Sequence, residues 1–116
     1  MSDTTFSAGI GRATITPPLN AVHAGWGAQT HTLPEGVDRD LLATVLVVDD
    51  VVERAAFCEA ELVIVSREES DAIRAAVAAD LQIAPANVRM SISHNHAGPP
   101  PGSWNWAGDG MEPLRR

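Results

Sequence analysis

The residues best suited to chemistry stand together late in the chain, in Ser93-His94-Asn95-His96-Ala97-Gly98-Pro99. Neutral imidazole is a good zinc ligand, and a catalytic zinc takes about three protein ligands and one open position for water. Two histidines at i and i+2 point to the same side where a strand continues through both. His94 and His96 therefore offer one or two ligands and leave the rest to be found elsewhere. From spacing alone, a metal-binding pair and a hydrogen-bonded pair of histidines at a strand end are level readings. The His-x-His-x-Asp-His pattern of metallo-β-lactamase-like sites is excluded, because Ala97, Gly98 and Pro99 follow His96.

Other residues bear on the same place. Glu61, near the end of a neighbouring strand, is a candidate ligand, partner to a ligand, or proton acceptor beside His94. A solvated acid at a strand end is the plainer reading. His23 and His31 lie in a glycine-rich loop and are further candidate ligands, with surface histidines the default reading. Cys58 alternates with Ala56 and Ala60, so it faces a core and reads as a buried structural cysteine. Trp26, Trp104 and Trp106 stand in loops near glycines, where aromatic rings line an apolar substrate groove or complete a core.

The elements that must position these groups follow from the hydrophobic pattern. A glycine-punctuated strand runs through residues 6–16 and stops at Pro17-Pro18, which cannot donate to a ladder. The stretch 19–39 is loop. Leu41 to Val48 is a continuous apolar, β-branched run, the pattern of a central strand buried on both faces. Asp49-Asp50 supplies a turn, and Ala55 to Val65 is the antiparallel partner, with Phe57, Glu59 and Glu61 on one face. Ser66 and Glu69 have capping-box spacing, and Ile73, Ala76, Val77 and Leu81 form one stripe of a helix over 67–81. That helix ends near Gln82, ahead of Pro85. Val88 to His94 is a further strand, parallel to its predecessor across a right-handed βαβ crossover. The histidines then lie at the C-terminal edge of a parallel pair, where open α/β sheets bind ligands. One helix covers one face of such a mixed α/β sheet, so the other face needs missing downstream sequence or a second copy.

The chain has 116 residues, 45% apolar and 20% charged, the composition of a small globular domain or a portion of a larger one. Its 8 basic and 15 acidic residues give a net charge of −7, which argues against nucleic-acid binding. One cysteine excludes an intramolecular disulfide. No stretch reaches the ~20 apolar residues of a membrane-spanning helix, and no signal peptide is visible at the start. A cytoplasmic protein is expected on those grounds. The segment 97–116 is a Gly/Pro-rich loop, with four of the eight prolines and four of the nine glycines.

Several segments, in order, resemble one family. Gly9-Ile10-Gly11-Arg12-Ala13-Thr14-Ile15-Thr16-Pro17-Pro18 is similar to the opening motif of the neutral/alkaline (non-lysosomal) ceramidases, and Gly25-Trp26-Gly27-Ala28 to the segment that follows it. Leu41 through Asp50 resembles the family's first long hairpin strand. Val88 through Pro99 resembles the strand that ends in its Thr-His-Thr-His-Ser-Gly-Pro signature. The resemblance implies that residues 1–116 are the N-terminal portion of a zinc-dependent amide hydrolase that cleaves N-acylsphingosine to sphingosine and a fatty acid. It implies His94 as a zinc ligand, His96 as a catalytic group beside metal and substrate, and a further histidine, a glutamate and a tyrosine downstream. It departs from the family at Thr14, usually aspartate, and at Ala97, usually serine. The sequence has no tyrosine, so on this reading the 116 residues alone are not expected to be active. Two alternatives carry the same fold: a non-catalytic remnant or binding module, and a metallohydrolase acting on another amide or ester. The second is suggested by the missing signal peptide, since family members acting on lipid are typically exported.

Overall fold

The computed structural model describes residues 5–23 and 28–99. Four strands, β1 (Ser7–Thr14), β2 (Leu42–Asp49), β3 (Arg54–Ala60) and β4 (Val88–Ile92), form one mixed sheet in the order β1-β2-β3-β4. The first two pairings are antiparallel and β3–β4 is parallel. The crossover between the parallel strands carries α1 (Arg67–Leu81) and a short 3-10 turn, Pro85–Asn87. The expected mixed α/β sheet with a βαβ unit is the one observed.

Local chemistry sets each boundary. Ser66 accepts from the Glu69 amide at 3.1 Å while the Glu69 carboxylate accepts from the Ser66 amide at 2.8 Å, closing the capping box. Gln82 ends the helix in the left-handed region (φ 55), and its backbone N–H meets the carbonyls of Ala78 and Ala79. Between β2 and β3, the Asp49 carboxylate accepts from the Val51 amide and from the Arg54 guanidinium. These two contacts hold its pKa below the ordinary value. β1 stops two residues before the expected Thr16. There the Thr16 hydroxyl replaces a ladder carbonyl, accepting from the Leu41 amide at 2.9 Å and donating to Asp40 at 2.7 Å.

The core lies between α1 and the β3–β4 half of the sheet. Ala56, Cys58, Ala78 and Val88 are buried in it, with Val45, Val47, Val77, Leu81, Ile83 and Met90 packed around them. Small side chains at Ala56 and Ala78 let helix and sheet approach closely. The helix is rotated slightly from the expected stripe: Ala78 is buried and Ala76 exposed. Arg74 helps to set that rotation, donating to the carbonyls of Val88 at 3.0 Å and Pro85 at 3.1 Å. β2 is central, as expected, but half-buried along its whole length, not sealed on both faces. The reason is coverage: α1 reaches one face of the sheet only, and β1 is exposed throughout. Cys58 is buried as expected, at 5% exposure, and desolvation pushes its thiol pKa up. Among the described residues no helix is long and apolar enough to cross a membrane.

Candidate functional site

The His-x-His segment leaves β4 at Ile92 and does not extend it. Ser93 and Asn95 still donate backbone N–H groups to the carbonyls of Ala60 and Leu62, at 3.1 and 3.0 Å. The loop thus stays fastened to the stretch that follows β3. His94 lies in the left-handed region at φ 57, a conformation a non-glycine residue adopts only where its surroundings enforce it. The alternation that would aim both histidines from one strand face is therefore absent. The loop brings their rings together by another route, with centroids 4.7 Å apart and planes nearly perpendicular.

Hydrogen bonds define the imidazole roles. His94 Nδ1 lies 2.7 Å from the Val63 carbonyl, so it carries the proton and donates. Its Nε2 then holds a lone pair, and the Nε2 of His96 stands 3.2 Å from it. A histidine fixed by Nδ1–H···O=C with Nε2 presented is the usual arrangement of a metal-binding imidazole. Two nitrogens at ~2.0–2.1 Å on a tetrahedral zinc would lie about 3.3 Å apart, close to the observed spacing. The same spacing is that of an Nε2–H···Nε2 hydrogen bond, so the pair is disposed either to share one proton or to place both nitrogens beside one metal. Among the described residues no group of three or more His, Cys, Asp or Glu converges.

The surrounding loop is held by contacts that spacing alone did not indicate. The Asn95 side chain accepts from the Ala97 amide at 2.8 Å, a local turn that a short amide two residues ahead is suited to make. Gly98 is buried, and a Cβ there would meet Leu41 Cδ1 at 3.1 Å, so a larger residue requires the Leu41 side chain to give by a few tenths of an ångström. His23 reaches the same loop from the opposite side of the sequence. Its Nδ1 donates to the Ala97 carbonyl at 3.0 Å, and its ring meets His31 edge-on at 5.2 Å. His23 thus anchors the loop, a role no sequence signal indicated. A cleft of about 260 Å³ opens beside it, lined by His23, Arg39, Leu41, Asn95 and Ala97 among others. A larger concavity, about 430 Å³, lies at the other end of the sheet around Asp49, Arg54 and Asn87, away from the histidines.

Glu61 occupies a different position from the pair. One carboxylate oxygen accepts from the Leu42 amide at 2.7 Å and the other from Arg39 at 3.1 Å. With the Glu61 amide donating to the Leu42 carbonyl, the residue closes the ladder where β3 ends and orders the start of β2. Trp26, Trp104 and Trp106 lie outside the described residues, as does the loop segment beyond residue 99.

A mixed four-stranded sheet with one crossover helix, and a histidine pair at the C-terminal edge of its parallel strands, defines the class: an α/β unit with paired imidazoles at one sheet edge. No family model matches the chain, and no curated protein matches it. Among solved structures it is similar to neutral ceramidase from Pseudomonas aeruginosa, with a TM-score of 0.61 and 22% identity over 84% of this chain. It is likewise similar to a ceramidase complexed with C2, with a TM-score of 0.57 at the same identity and coverage. The chain spans 16% of the length of each of these proteins. It has the fold of a portion of a ceramidase, which agrees with the resemblance carried by the sequence motifs.

Proposed function

We propose that this chain is the metal-binding N-terminal portion of a zinc-dependent amide hydrolase of ceramidase type, acting on N-acylsphingosine or a closely similar lipid amide. The observation that carries the proposal is the His94–His96 pair: Nε2 atoms 3.2 Å apart, with one ring fixed through Nδ1. The fold shared with ceramidases supports it. His94 would hold the metal through Nε2, with the Val63 carbonyl selecting the neutral tautomer that carries its proton on Nδ1. His96, in reach of the same point, holds or moves a proton beside the scissile amide. When bound, zinc polarises the amide carbonyl and lowers the pKa of its water toward ~7. Glu61 steadies the edge of the cleft through Leu42 and Arg39, and Trp26 is assigned to the substrate groove. Further ligands come from outside the described residues.

Calorimetric zinc titration of the chain, with His94→Ala and His96→Ala, tests the reading. The expected result is zinc binding weakened tenfold or more by His94→Ala; unchanged zinc binding in that variant refutes it. Fatty-acid release from N-acylsphingosine by the protein in its longest natural form, compared with release from simple N-acyl amines, tests the substrate class. The small number of converging donors among the described residues favours one second reading, a binding module with this fold. Zinc and ceramide binding without turnover by the protein in its longest natural form would select it.

A further inference from the structure

The two imidazoles of the pair are held through different connections of the fold. His94 is fastened on the β3–α1 side. Its Nδ1 donates to the Val63 carbonyl, and its neighbours Ser93 and Asn95 donate backbone N–H groups to the carbonyls of Ala60 and Leu62. His96 stands at the centre of the turn that the Asn95 side chain closes on the Ala97 amide at 2.8 Å. That bond fixes the shape of the turn, and the tilt of the turn follows from where its two ends are attached. One end, Asn95, is attached to Leu62. The other, Ala97, is attached through its carbonyl to His23 Nδ1 at 3.0 Å, a contact between residues 74 positions apart.

We propose that His23 is a positioning residue for His96: by holding the Ala97 end of the turn from the β1–β2 connection, it sets where the His96 ring stands against His94. His23 is itself fixed for the task. Its backbone N–H donates to the Thr32 carbonyl at 2.9 Å, and its ring meets the His31 ring edge-on, with planes 79° apart. A ring held at its backbone and against a second ring directs Nδ1–H along one line. Packing of Gly98 beside Leu41 sets how closely the chain passes the start of β2. A hydrogen bond, in contrast, weakens steeply off its axis, so it is the His23 bond that orients the Ala97 peptide. Each residue has two soft backbone dihedrals, and freeing the Ala97 end lets the turn pivot about Asn95. The His96 ring then moves while His94, held at Val63, stays, and the 3.2 Å approach of the two Nε2 atoms is lost. The catalytic side of this inference rests on the proposed role of His96 beside the scissile amide, where a misplacement of about 1 Å costs up to roughly a hundredfold in rate. The geometric side is free of that reading.

Nitrogen-15 spectra of the histidine-labelled full chain, recorded without metal, read the protonation of each of its four imidazoles separately. His23→Leu fills the space without a donor, and His23→Asp puts an acceptor where the donor stands. In both, the His96 nitrogens are expected to move toward the tautomer-averaged positions of free histidine, with those of His94 in place. His23→Asn carries an amide N–H at the same branch of the side chain as Nδ1–H and is expected to return His96 to its wild-type positions. Unmoved His96 resonances in the leucine and aspartate variants overturn the inference. So do His94 resonances that move as far as those of His96, the mark of a general loosening, or an asparagine variant no different from leucine. The catalytic consequence is read in the protein's longest natural form. There His23→Leu is expected to lower kcat about tenfold or more at unchanged zinc content, and His23→Asn to keep it near wild type. An active zinc enzyme whose kcat is indifferent to His23→Leu overturns the role in catalysis. A protein that binds no zinc and cleaves no amide, yet whose His96 resonances follow His23, refutes the proposed function and leaves the positioning intact.

Discussion

Replacing His94 separates the energetic cost of the site from its chemistry. At φ 57, a non-glycine residue bears roughly 1–2 kcal/mol of backbone cost. Against that, the Nδ1 bond to the Val63 carbonyl at 2.7 Å contributes about 1 kcal/mol. His94→Gly removes both, while the freer unfolded chain of glycine adds a cost of roughly 0.5–1 kcal/mol. These contributions nearly cancel, and the glycine variant is expected within about 1 kcal/mol of wild type. His94→Ala loses the same bond and keeps the left-handed cost, so it should be about 1 kcal/mol less stable than the glycine variant. With a urea m-value of about 1–3 kcal/mol/M, the gap appears as a midpoint difference of roughly 0.3–1 M. Urea melts followed by circular dichroism read it directly, and zinc titration should show binding weakened in both. Equal midpoints, or an alanine variant more stable than the glycine one, would refute the claim that this backbone is held under strain for the sake of the histidine.

Two other expectations concern the elements that hold the loop. Ser66→Ala removes the acceptor for the Glu69 amide and should cost about 1 kcal/mol, whereas Ser66→Asp should recover most of it; unchanged melts for Ser66→Ala would show the capping box to be idle. Burial raises the thiol pKa of Cys58 above its ordinary value of 9.0. The folded state thus prefers the protonated form, and stability intact below that value is lost as pH rises through the folded pKa. Wild type should lose stability above about pH 9 more steeply than Cys58→Ala, and native Cys58 should react with a thiol reagent far more slowly than unfolded chain does. Parallel pH profiles for the two proteins would contradict the sign.

Where the local chemistry is self-contained, the elements were legible from the residues. The helix was readable because Ser66 and Glu69 cap it reciprocally and Pro85 follows close behind, all within one short stretch. The buried face of β3 was readable because Ala56, Cys58 and Ala60 alternate with bulkier or charged neighbours. Features that depend on distant partners were not. β3 ends at Ala60, five residues before Val65, because the Glu61 carboxylate is drawn across to Leu42 and Arg39. β2 reads as fully buried by composition, yet its burial depends on what lies over the sheet, and α1 sits over β3 and β4. The helix stripe placed Ala76 inward, but Arg74 draws the helix toward the carbonyls of Pro85 and Val88, turning Ala78 into the core. At the site, His94 and His96 could be singled out by type and spacing. Their meeting through a left-handed turn, and the contributions of Val63, Asn95 and His23, depend on backbone carbonyls and amides that every residue carries and no motif distinguishes.

The bond between His94 and the Val63 carbonyl joins residues 31 positions apart, and it lies beyond a parallel strand pair bridged by a helix. Parallel pairing across a crossover is among the slower events in folding, because the loop entropy must be met before the distant contacts form. The histidines can adopt their arrangement only after α1 has docked and β4 has found β3. In folding time, therefore, the paired-histidine geometry is assembled late, and the unfolded chain carries two loosely tethered imidazoles where the native chain presents a prepared pair.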